Sequence, residues 1–321
     1  MDWISPRKLK RLGMLNMNRR NVDYIARYND RSSYPLVDNK LKTRLVVREY
    51  GVTTPKLLQV VRQQHEISHF RQIVEGMPGF AIKPAKGSGG KGITVVTGRE
   101  NEDYVKASGA RVGVSVLERH LTNILAGLYS LAGSPDVAIV ESLVQSSPDL
   151  ARYSHQGVPD IRIVVFQGYP VMAMLRLATT DSDGKANLHQ GAVGVGLDIG
   201  TGKSLNAVQF NRPATLHPDT GLPLDNIHID AWEQMLEMAS RCYEATGLGY
   251  MGVDLVVDAN EGPLLLELNA RPGLAIQMAN GRGLLPRLKN IESLKRPHFS
   301  PMERVRYAMS TFAASEGNLQ P

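Results

Sequence analysis

The sequence predicts a mixed α+β protein, because apolar strand pairs alternate with helical stretches along its 321 residues. Two apolar strands flank a polar turn between Gly252 and Gly273. A second strand pair, between Phe80 and Val96, encloses a glycine-rich loop. Between residues 115 and 132 the apolar residues recur with the period of a helix. These observations favour sheets with separate helices, and the chain has no internal repeat.

Composition narrows the class of protein. The chain is 42% hydrophobic and 21% charged, which is typical of a globular protein. It has neither a membrane-length apolar run of ~18 residues nor an apolar signal segment after Met1, so we expect no membrane partner. Its single cysteine, Cys242, excludes an internal disulfide and a Cys-based zinc site. A cytoplasmic location fits best.

The net charge of +6 is partly concentrated in the first 37 residues. The basic side chains there are Arg7, Lys8, Lys10, Arg11, Arg19 and Arg20. Such a cluster either recruits an acidic partner or forms a solvated helix face, and the sequence leaves both open. We predict an acidic peptide or protein as partner and do not expect nucleic acid. A homo-oligomer remains open.

The helices and strands are predicted from periodicity and from their end signals. One or two helices are expected within residues 1–34. Asp38 is the expected N-cap of the next helix, from Asn39 to Tyr50, with Gly51 just after its end. Further helices are expected at about 59–75, 115–132 and 230–246, with one more after Pro297. Strands are expected at 80–84, 93–96, 138–144, 159–166 and 171–177.

The glycine-rich loop, residues 85–92, follows a strand that carries Lys83. Glycines let backbone N–H groups approach phosphate oxygens. A Walker A loop is excluded because Gly92, not Ser or Thr, follows Lys91. A dinucleotide fingerprint is excluded because a strand, not a helix, comes next. A flap over nucleotide phosphates fits the pattern, and a glycine-rich hairpin without ligand is the alternative. The Asp-Phe-Gly and His-Arg-Asp motifs of protein kinases are absent from the sequence.

The hairpin at 252–273 brings acidic side chains together. With Asp258 facing Pro263, Asp254 lies opposite Glu267, and Asn269 shares their face. Facing carboxylates repel each other unless a cation or a proton compensates. Three hard oxygen ligands suit Mg²⁺, and an ordinary hairpin with a solvated polar face is the alternative.

Two arginines, Arg162 and Arg176, stand among apolar residues of a second predicted hairpin. An arginine on a buried strand requires an anionic partner. That partner is either a ligand or a structural acid such as Asp160. His189 by itself is more typical of a structural histidine than of a catalytic one.

These motifs together resemble the ATP-grasp superfamily, and within it the RimK-like α-L-glutamate ligases. In chain order the motifs are Asp38-Asn-Lys-x-x-Thr, Gly51-Val-Thr-Thr-Pro, Lys83 before the glycine-rich loop, the strand with Glu141, Asp160-Ile-Arg, Ala173-Met-Leu-Arg, Asn187-Leu-His-Gln-Gly, Gly252-Val-Asp, and Glu267-Leu-Asn-Ala-Arg-Pro-Gly. The resemblance extends from about Asp38 to Gly273. It implies an ATP-grasp fold in which two α+β subdomains clamp ATP. The sequence departs from the family at its N-terminal segment, which is shorter than the α/β domain that usually precedes the first lysine.

The resemblance also implies roles for individual residues. Nucleotide phosphates would be held by Lys40, Lys83, Gly87, Ser88, Gly89 and Gly90, and adenine would lie near Glu141, Ser142, Leu143 and Val144. Two Mg²⁺ ions, replaceable by Mn²⁺, would be held by Asp254, Glu267 and Asn269. The implied catalytic residues are Arg162, Arg176 and Arg271; the implied substrate-binding residues are Arg162, Asn187, His189 and Arg271.

The implied chemistry is amide formation. ATP would convert a carboxylate to an acyl phosphate, which an amine then attacks; glutamate or another amino acid would be the donor. A small-molecule kinase on the same scaffold and a non-catalytic basic binding protein are the alternatives. The implied segments are a basic N-terminal stretch (1–37), a first subdomain with the flap (38–139), a second with the metal site (140–296) and a tail (297–321).

Overall fold

The structure, a computed structural model, describes residues 5–87, 89–130, 133–297 and 300–314. The chain forms two compact units, and each contains its own sheet. The large unit comprises residues 1–37, 46–53 and 146–321; the small unit comprises residues 38–45 and 54–145. This division keeps the whole strand Ala138–Ser142 in the small unit, whereas the segments expected from sequence divided it.

The small unit is built around a six-stranded antiparallel sheet. Its strands are β1 (Leu57–Val61), β2 (Phe80–Pro84), β3 (Thr94–Glu100), β4 (Asp103–Lys106), β5 (Arg111–Val112) and β6 (Ala138–Ser142), in the order β1-β6-β2-β3-β4-β5. Phe70, Phe80 and Tyr104 pack edge to face in its core, which also buries Leu117 and Leu121. The glycine-rich loop joins β2 to β3, so the expected strand–loop–strand flap is present.

The large unit is built around a seven-stranded antiparallel sheet. Its strands are β7 (Asp160–Phe166), β8 (Tyr169–Leu177), β9 (Val193–Leu197), β10 (Ser204–Gln209), β11 (Arg212–Pro213), β12 (Tyr250–Asp258) and β13 (Gly262–Asn269), in the order β11-β10-β9-β8-β7-β12-β13. All nine residues of β8 are buried. Such continuous burial explains why this strand is almost uniformly apolar.

Most helices lie in the large unit. The α-helices are α1 (Pro6–Arg11), α2 (Met17–Arg19), α3 (Ala26–Tyr28), α4 (Tyr34–Val37), α5 (Lys40–Glu49), α6 (Phe70–Val74), α7 (Val114–Leu125), α8 (Pro148–Ala151), α9 (Trp232–Thr246), α10 (Ile276–Ala279), α11 (Leu285–Glu292) and α12 (Pro301–Phe312). Gly247 ends α9 in the left-handed conformation at φ 68°, as the sequence predicts. Among the described residues, no helix is long and apolar enough to span a membrane.

Three local predictions are wrong. The expected helix at 59–75 is the strand β1, a 3₁₀ helix (Gln64–His69) and the short helix α6. Pairing of β1 with β6 decided this, because a short apolar run has no period of its own. The N-cap of α5 is Asn39, not Asp38: its Oδ1 accepts the N–H groups of Leu41 and Lys42.

The third correction concerns the predicted helix at 115–132, which ends at Leu125 in α7. Gly127 follows at φ 83°, and a Cβ there would lie 2.4 Å from the carbonyl oxygen of Ser134. The chain therefore turns at a position that only glycine tolerates. Residues 131 and 132, at the predicted helix end, lie outside the described residues.

Candidate functional site

A row of charged residues crosses three neighbouring strands of the large unit. Arg162 on β7 lies opposite Asp254 on β12, and Asp254 lies opposite Glu267 on β13. The predicted pairing of Asp254 with Glu267 is therefore present. The predicted pairing of Asp258 with Pro263 is wrong, because Asp258 pairs with Gly262. One extra residue in β13, a β-bulge between the two pairs, shifts the register back by one.

Asp254 is the centre of this row, and it is only 4% exposed. Its Oδ1 accepts a hydrogen bond from Nε of Arg162 at 2.7 Å, and its Oδ2 accepts one from Nη2 of the same arginine at 2.5 Å. Nη2 of Arg176 also lies 2.9 Å from Oδ2. Burial by itself would raise the pKa of Asp254, but the charges and hydrogen bonds of the two arginines outweigh it and hold that pKa below its usual value.

A second charged pair involves the residue two positions before Arg162 in β7. Asp160 faces Arg176 of β8 and accepts its Nε–H at 3.0 Å and its Nη2–H in a two-point ion pair. Burial raises the pKa of Asp160 to about 6; the charge of Arg176 opposes this, and that of Asp254 adds to it. The structural pairing that the sequence left open for Arg176 is therefore present. Two acids and two arginines form one buried network.

Asn269 joins this network from the end of β13. Its Nδ2 donates to Oδ2 of Asp254 at 3.1 Å, so the two side chains converge as the hairpin predicted. Gly252, directly opposite Asn269, leaves the room: a Cβ at Gly252 would lie 2.8 Å from Cβ of Pro272. The glycine of the Gly252-Val-Asp motif therefore lets the segment that follows β13 approach β12.

The donor set fits a divalent cation. Asp254, half-buried Glu267 and Asn269 offer oxygen atoms from neighbouring positions of two strands, which is the hard ligand chemistry that Mg²⁺ prefers. Oδ1 of Asp254 accepts one hydrogen bond from the described residues and retains a lone pair for a metal. Within the described part of the chain, no group of three or more His, Cys, Asp or Glu side chains is placed to hold a metal ion, so the third ligand here would be the amide oxygen of Asn269. The metal assignment remains a prediction.

The other predicted substrate residues lie outside this network. Arg271 is exposed, with its guanidinium carbon 5.4 Å from the ring centroid of Tyr34. Oδ1 of Asn187 accepts the backbone N–H of His189 at 3.1 Å and caps a 3₁₀ turn (Leu188–Gln190). His189 itself is exposed. Asn187 therefore stabilises the start of this turn, and its role in substrate binding stays a prediction.

Lys83 is the centre of a second cluster, in the small unit. Its Nζ forms an ion pair with Oε1 of Glu141, and Nη1 of Arg44 lies 3.2 Å from Oε2 of the same carboxylate. Glu141 is 6% exposed. Arg44 is not among the residues predicted from sequence, although it stands one helical turn after Lys40 in α5, on the same face. That spacing is the signal by which it could have been found.

The glycine-rich loop is anchored by a lysine side chain of the same unit. Nζ of Lys40 donates to the carbonyl oxygen of Gly87 at 2.6 Å, so this predicted phosphate ligand also anchors the loop. Gly89 and Gly90 have φ of 63° and 75°, and a Cβ at either would meet nothing within 4 Å. Backbone freedom, not space, therefore explains both glycines. Ser88, also predicted to bind phosphate, lies outside the described residues.

His120 and Tyr129, which were not predicted from sequence, hold the C-terminal end of this loop. Nε2 of His120 lies 2.9 Å from the carbonyl oxygen of Gly92, and the hydroxyl of Tyr129 lies 3.4 Å from Nδ1. A Cβ at Gly92 would lie 2.4 Å from the Tyr129 ring. Burial lowers the pKa of His120. The neutral imidazole can therefore donate Nε2–H to the loop while it accepts from Tyr129.

The strand end that was predicted to contact adenine has local partners. The backbone N–H of Lys56 donates to the hydroxyl of Ser142 at 3.0 Å. Leu143 packs close to Gly79, where a Cβ would lie 2.6 Å from its Cδ2. Leu143 and Val144 are half-buried and follow β6. An apolar wall suits a flat base, and the adenine assignment remains a prediction.

Comparison with known families gives a direct match over residues 19–293 to a family model described as sugar-transfer associated ATP-grasp. The chain belongs to this ATP-grasp family. The predicted superfamily and fold are therefore confirmed, with the two antiparallel sheets and flanking helices described above. The match identifies the superfamily but not the RimK-like subfamily, which stays a prediction. A search of curated proteins finds no match.

Several solved structures, among them an ATP-grasp ligase, are also similar to this chain. The ligase PsnB complexed with a minimal precursor is 14% identical, with 88% of this chain and 63% of that chain covered and a TM-score of 0.41. The D-cycloserine synthetase DcsG is 15% identical, with 85% and 71% covered and a TM-score of 0.46. The VanG D-Ala:D-Ser ligase from Enterococcus faecalis is 15% identical, with 89% and 64% covered and a TM-score of 0.44. This chain spans less than two thirds of the length of PsnB and of VanG.

Proposed function

We propose that this ATP-grasp protein is an ATP-dependent carboxylate–amine ligase that forms ADP and phosphate. The observation that carries the proposal is the buried network of Arg162, Arg176, Asp254 and Asn269 beside Glu267 on adjoining strands. Such a network offers both positive groups for anions and oxygen ligands for Mg²⁺. A protein that only binds a partner has no need to bury this many charges.

The arginines suit a carboxylate that acts as a nucleophile towards phosphate. Two anions, the carboxylate and the terminal phosphate, repel each other as they approach, and fixed guanidinium groups reduce that repulsion. Arg176 is already held in position by Asp160, so it loses little rotamer freedom when an anion arrives. Mg²⁺, when bound, neutralises the charge that develops on the phosphate oxygens.

The small unit supplies the expected phosphate ligands. Lys83 and Lys40 carry positive charge, and Gly89 and Gly90 leave backbone N–H groups accessible. Glu141 holds Lys83 in an ion pair, which arranges the lysine before nucleotide arrives. His120 would help to keep the loop in place, because it contacts Gly92. A closed loop excludes water and protects an acyl phosphate from hydrolysis.

The donor and acceptor are narrower proposals. The motif resemblance to RimK-like ligases supports glutamate or another amino acid as the donor. Because the matching family is described as sugar-transfer associated, an amine on a sugar belongs among the acceptors, beside amino acids and acidic peptides.

The test is ATP turnover with Mg²⁺ against a panel of amino acids, acidic peptides and amino sugars. We expect ADP and inorganic phosphate, and we expect hydroxylamine to trap the donor acid as a hydroxamate that mass spectrometry detects. AMP with pyrophosphate would indicate adenylation instead. ADP with a stable phosphorylated product and no hydroxamate would replace the ligase with a kinase.

A further inference from the structure

An open cavity of about 520 Å³ lies in the large unit, next to the C-terminal end of α12. Residues that line it include Leu12, Arg282, Arg287, Asn290, Thr311 and Phe312. Its volume is in the range of small-molecule sites. Its two arginines therefore lie in one cavity with the polar side chains of Asn290 and Thr311.

Arg287 is the buried member of this pair, at 8% exposure. Its Nη1 donates to the carbonyl oxygen of Val171 at 2.6 Å, and its Nη2 donates to that of Phe312 at 2.9 Å. A guanidinium has five N–H donors, so these two bonds do not use its full capacity. Neutral carbonyl groups satisfy hydrogen bonds but do not neutralise the charge.

Among the described residues, no carboxylate forms an ion pair with Arg287. The acid that acts on it from further away, Asp198, accepts the N–H groups of Gly200 and Ala314. Burial, together with the like charge of Arg282, lowers the pKa of Arg287 to about 10. A buried cation beside another cation is costly, and a bound anion would relieve that cost.

The surroundings of the cavity are also basic. Gly283 donates its N–H to the carbonyl oxygen of Leu12, so the end of α1 adjoins the cavity. The residues just before Leu12 include the exposed Lys8, Lys10 and Arg11. Their summed field raises the local concentration of anions.

The cavity is separate from the charged network on β7, β8 and β12. Arg287 contacts β8 at Val171, whereas Arg176 lies five residues further along the same strand. At ~3.3 Å per residue these two positions are ~17 Å apart.

We propose that this cavity is a second anion-binding site, in which Arg282 and Arg287 bind a carboxylate or phosphate group of a small molecule. A guanidinium matches the two-point geometry of both groups. The proposal does not depend on the ligase activity, because no residue of the cavity belongs to the charged network.

The experiment is calorimetric titration of the full chain with inorganic phosphate and, separately, with malonate. Both titrations are made in saturating ADP and Mg²⁺, so that phosphate-binding groups used by nucleotide are occupied. The main variant is Arg282→Ala, since the Arg282 side chain, unlike that of Arg287, makes no described hydrogen bond to a backbone carbonyl. Arg212→Ala, which removes an exposed arginine of β11, is the control for net charge.

We expect at least one of the two anions to bind, and we expect Arg282→Ala to weaken that binding by about tenfold or more, as for a lost charged hydrogen bond. Arg212→Ala should bind as the unmodified protein does. Stronger binding of phosphate or of malonate would identify the class of ligand. Absence of binding in the presence of ADP, or equal affinities in the two variants, would overturn the proposal.

Discussion

Replacement of Asp254 by asparagine is the sharpest test of the charged network. The variant keeps the shape of the side chain but removes the charge that pairs with Arg162, while Arg176 retains Asp160. Removing one partner of a buried ion pair costs about 3–5 kcal/mol, because the other charge is left uncompensated. At about 2–4 °C per kcal/mol for domains of about 150–250 residues, the melting temperature should fall by about 6–20 °C.

The matched control is Glu267→Gln, on the neighbouring strand in the same row. Glu267 is half-buried and faces the carboxylate of Asp254, so its neutralisation removes a repulsion. Calorimetric melting without Mg²⁺ or nucleotide should show an unchanged or higher melting temperature for Glu267→Gln. The same variant should lose ATP turnover, if Glu267 holds Mg²⁺. The ion-pair explanation would be refuted if the melting temperature of Asp254→Asn lay within about 2 °C of that of the unmodified protein. It would also be refuted if both variants lowered the melting temperature equally.

The pH dependence gives an independent check. Because the pKa of Asp254 is held below its unfolded value, its stabilisation is complete above about pH 4 and is lost as the pH falls through the folded pKa. The difference in stability between the unmodified protein and Asp254→Asn should therefore shrink below about pH 4. A constant difference across the acid range would contradict the ionic origin of the effect.

Three further predictions concern Lys83, Asp160 and His120. Lys83→Ala should weaken ATP binding by about tenfold or more in a folded protein, since Arg44 still pairs with Glu141. The control is Lys42→Ala, at an exposed lysine of the same unit outside the glycine-rich loop, and unchanged affinity of Lys83→Ala would remove the assignment. The carboxyl of Asp160 keeps its proton up to about pH 6 in the folded protein but releases it near pH 4 in the unfolded chain, so the free energy of unfolding should fall as the pH rises from about 4 to 6. Asp160→Asn should make this fall smaller. An unchanged pH dependence, measured by chemical denaturation, would contradict this. His120→Phe should weaken nucleotide binding, because it removes the hydrogen bond to the loop at Gly92. His120→Gln can still donate to Gly92 and should keep much of the nucleotide affinity. Equal losses of affinity in the two variants would show that the hydrogen bond does not position the loop.

Local residue patterns were sufficient for the elements that carry the charged network. Alternation along β12 and β13 put Asp254, Glu267 and Asn269 on one face, since successive side chains of a strand point to opposite sides. The end of α9 at Gly247 and the flap between β2 and β3 also follow from glycine positions. Each of these features depends on neighbours in sequence.

Other features depend on which strands become neighbours. The run Leu57–Val61 became β1 only because β6 pairs with it, and the bulge in β13 was needed to align Asp254 with Glu267. The sequence identified Arg162 and Arg176 as arginines in need of an anion. Only the order β8-β7-β12-β13 made Asp254 the partner of both.

Sequence patterns were enough to predict the hairpin with its acidic face and the glycine-rich loop, because short-range spacing and backbone freedom decide these. The superfamily was indicated by the resemblance of the motifs. Tertiary structure alone decided the Lys83–Glu141–Arg44 cluster, the contact of His120 with Gly92 and the cavity around Arg287. Glu141 lies 58 residues from Lys83, and Val171 lies 116 from Arg287. Contacts over such separations depend on how the sheets and helices pack, which no local pattern encodes.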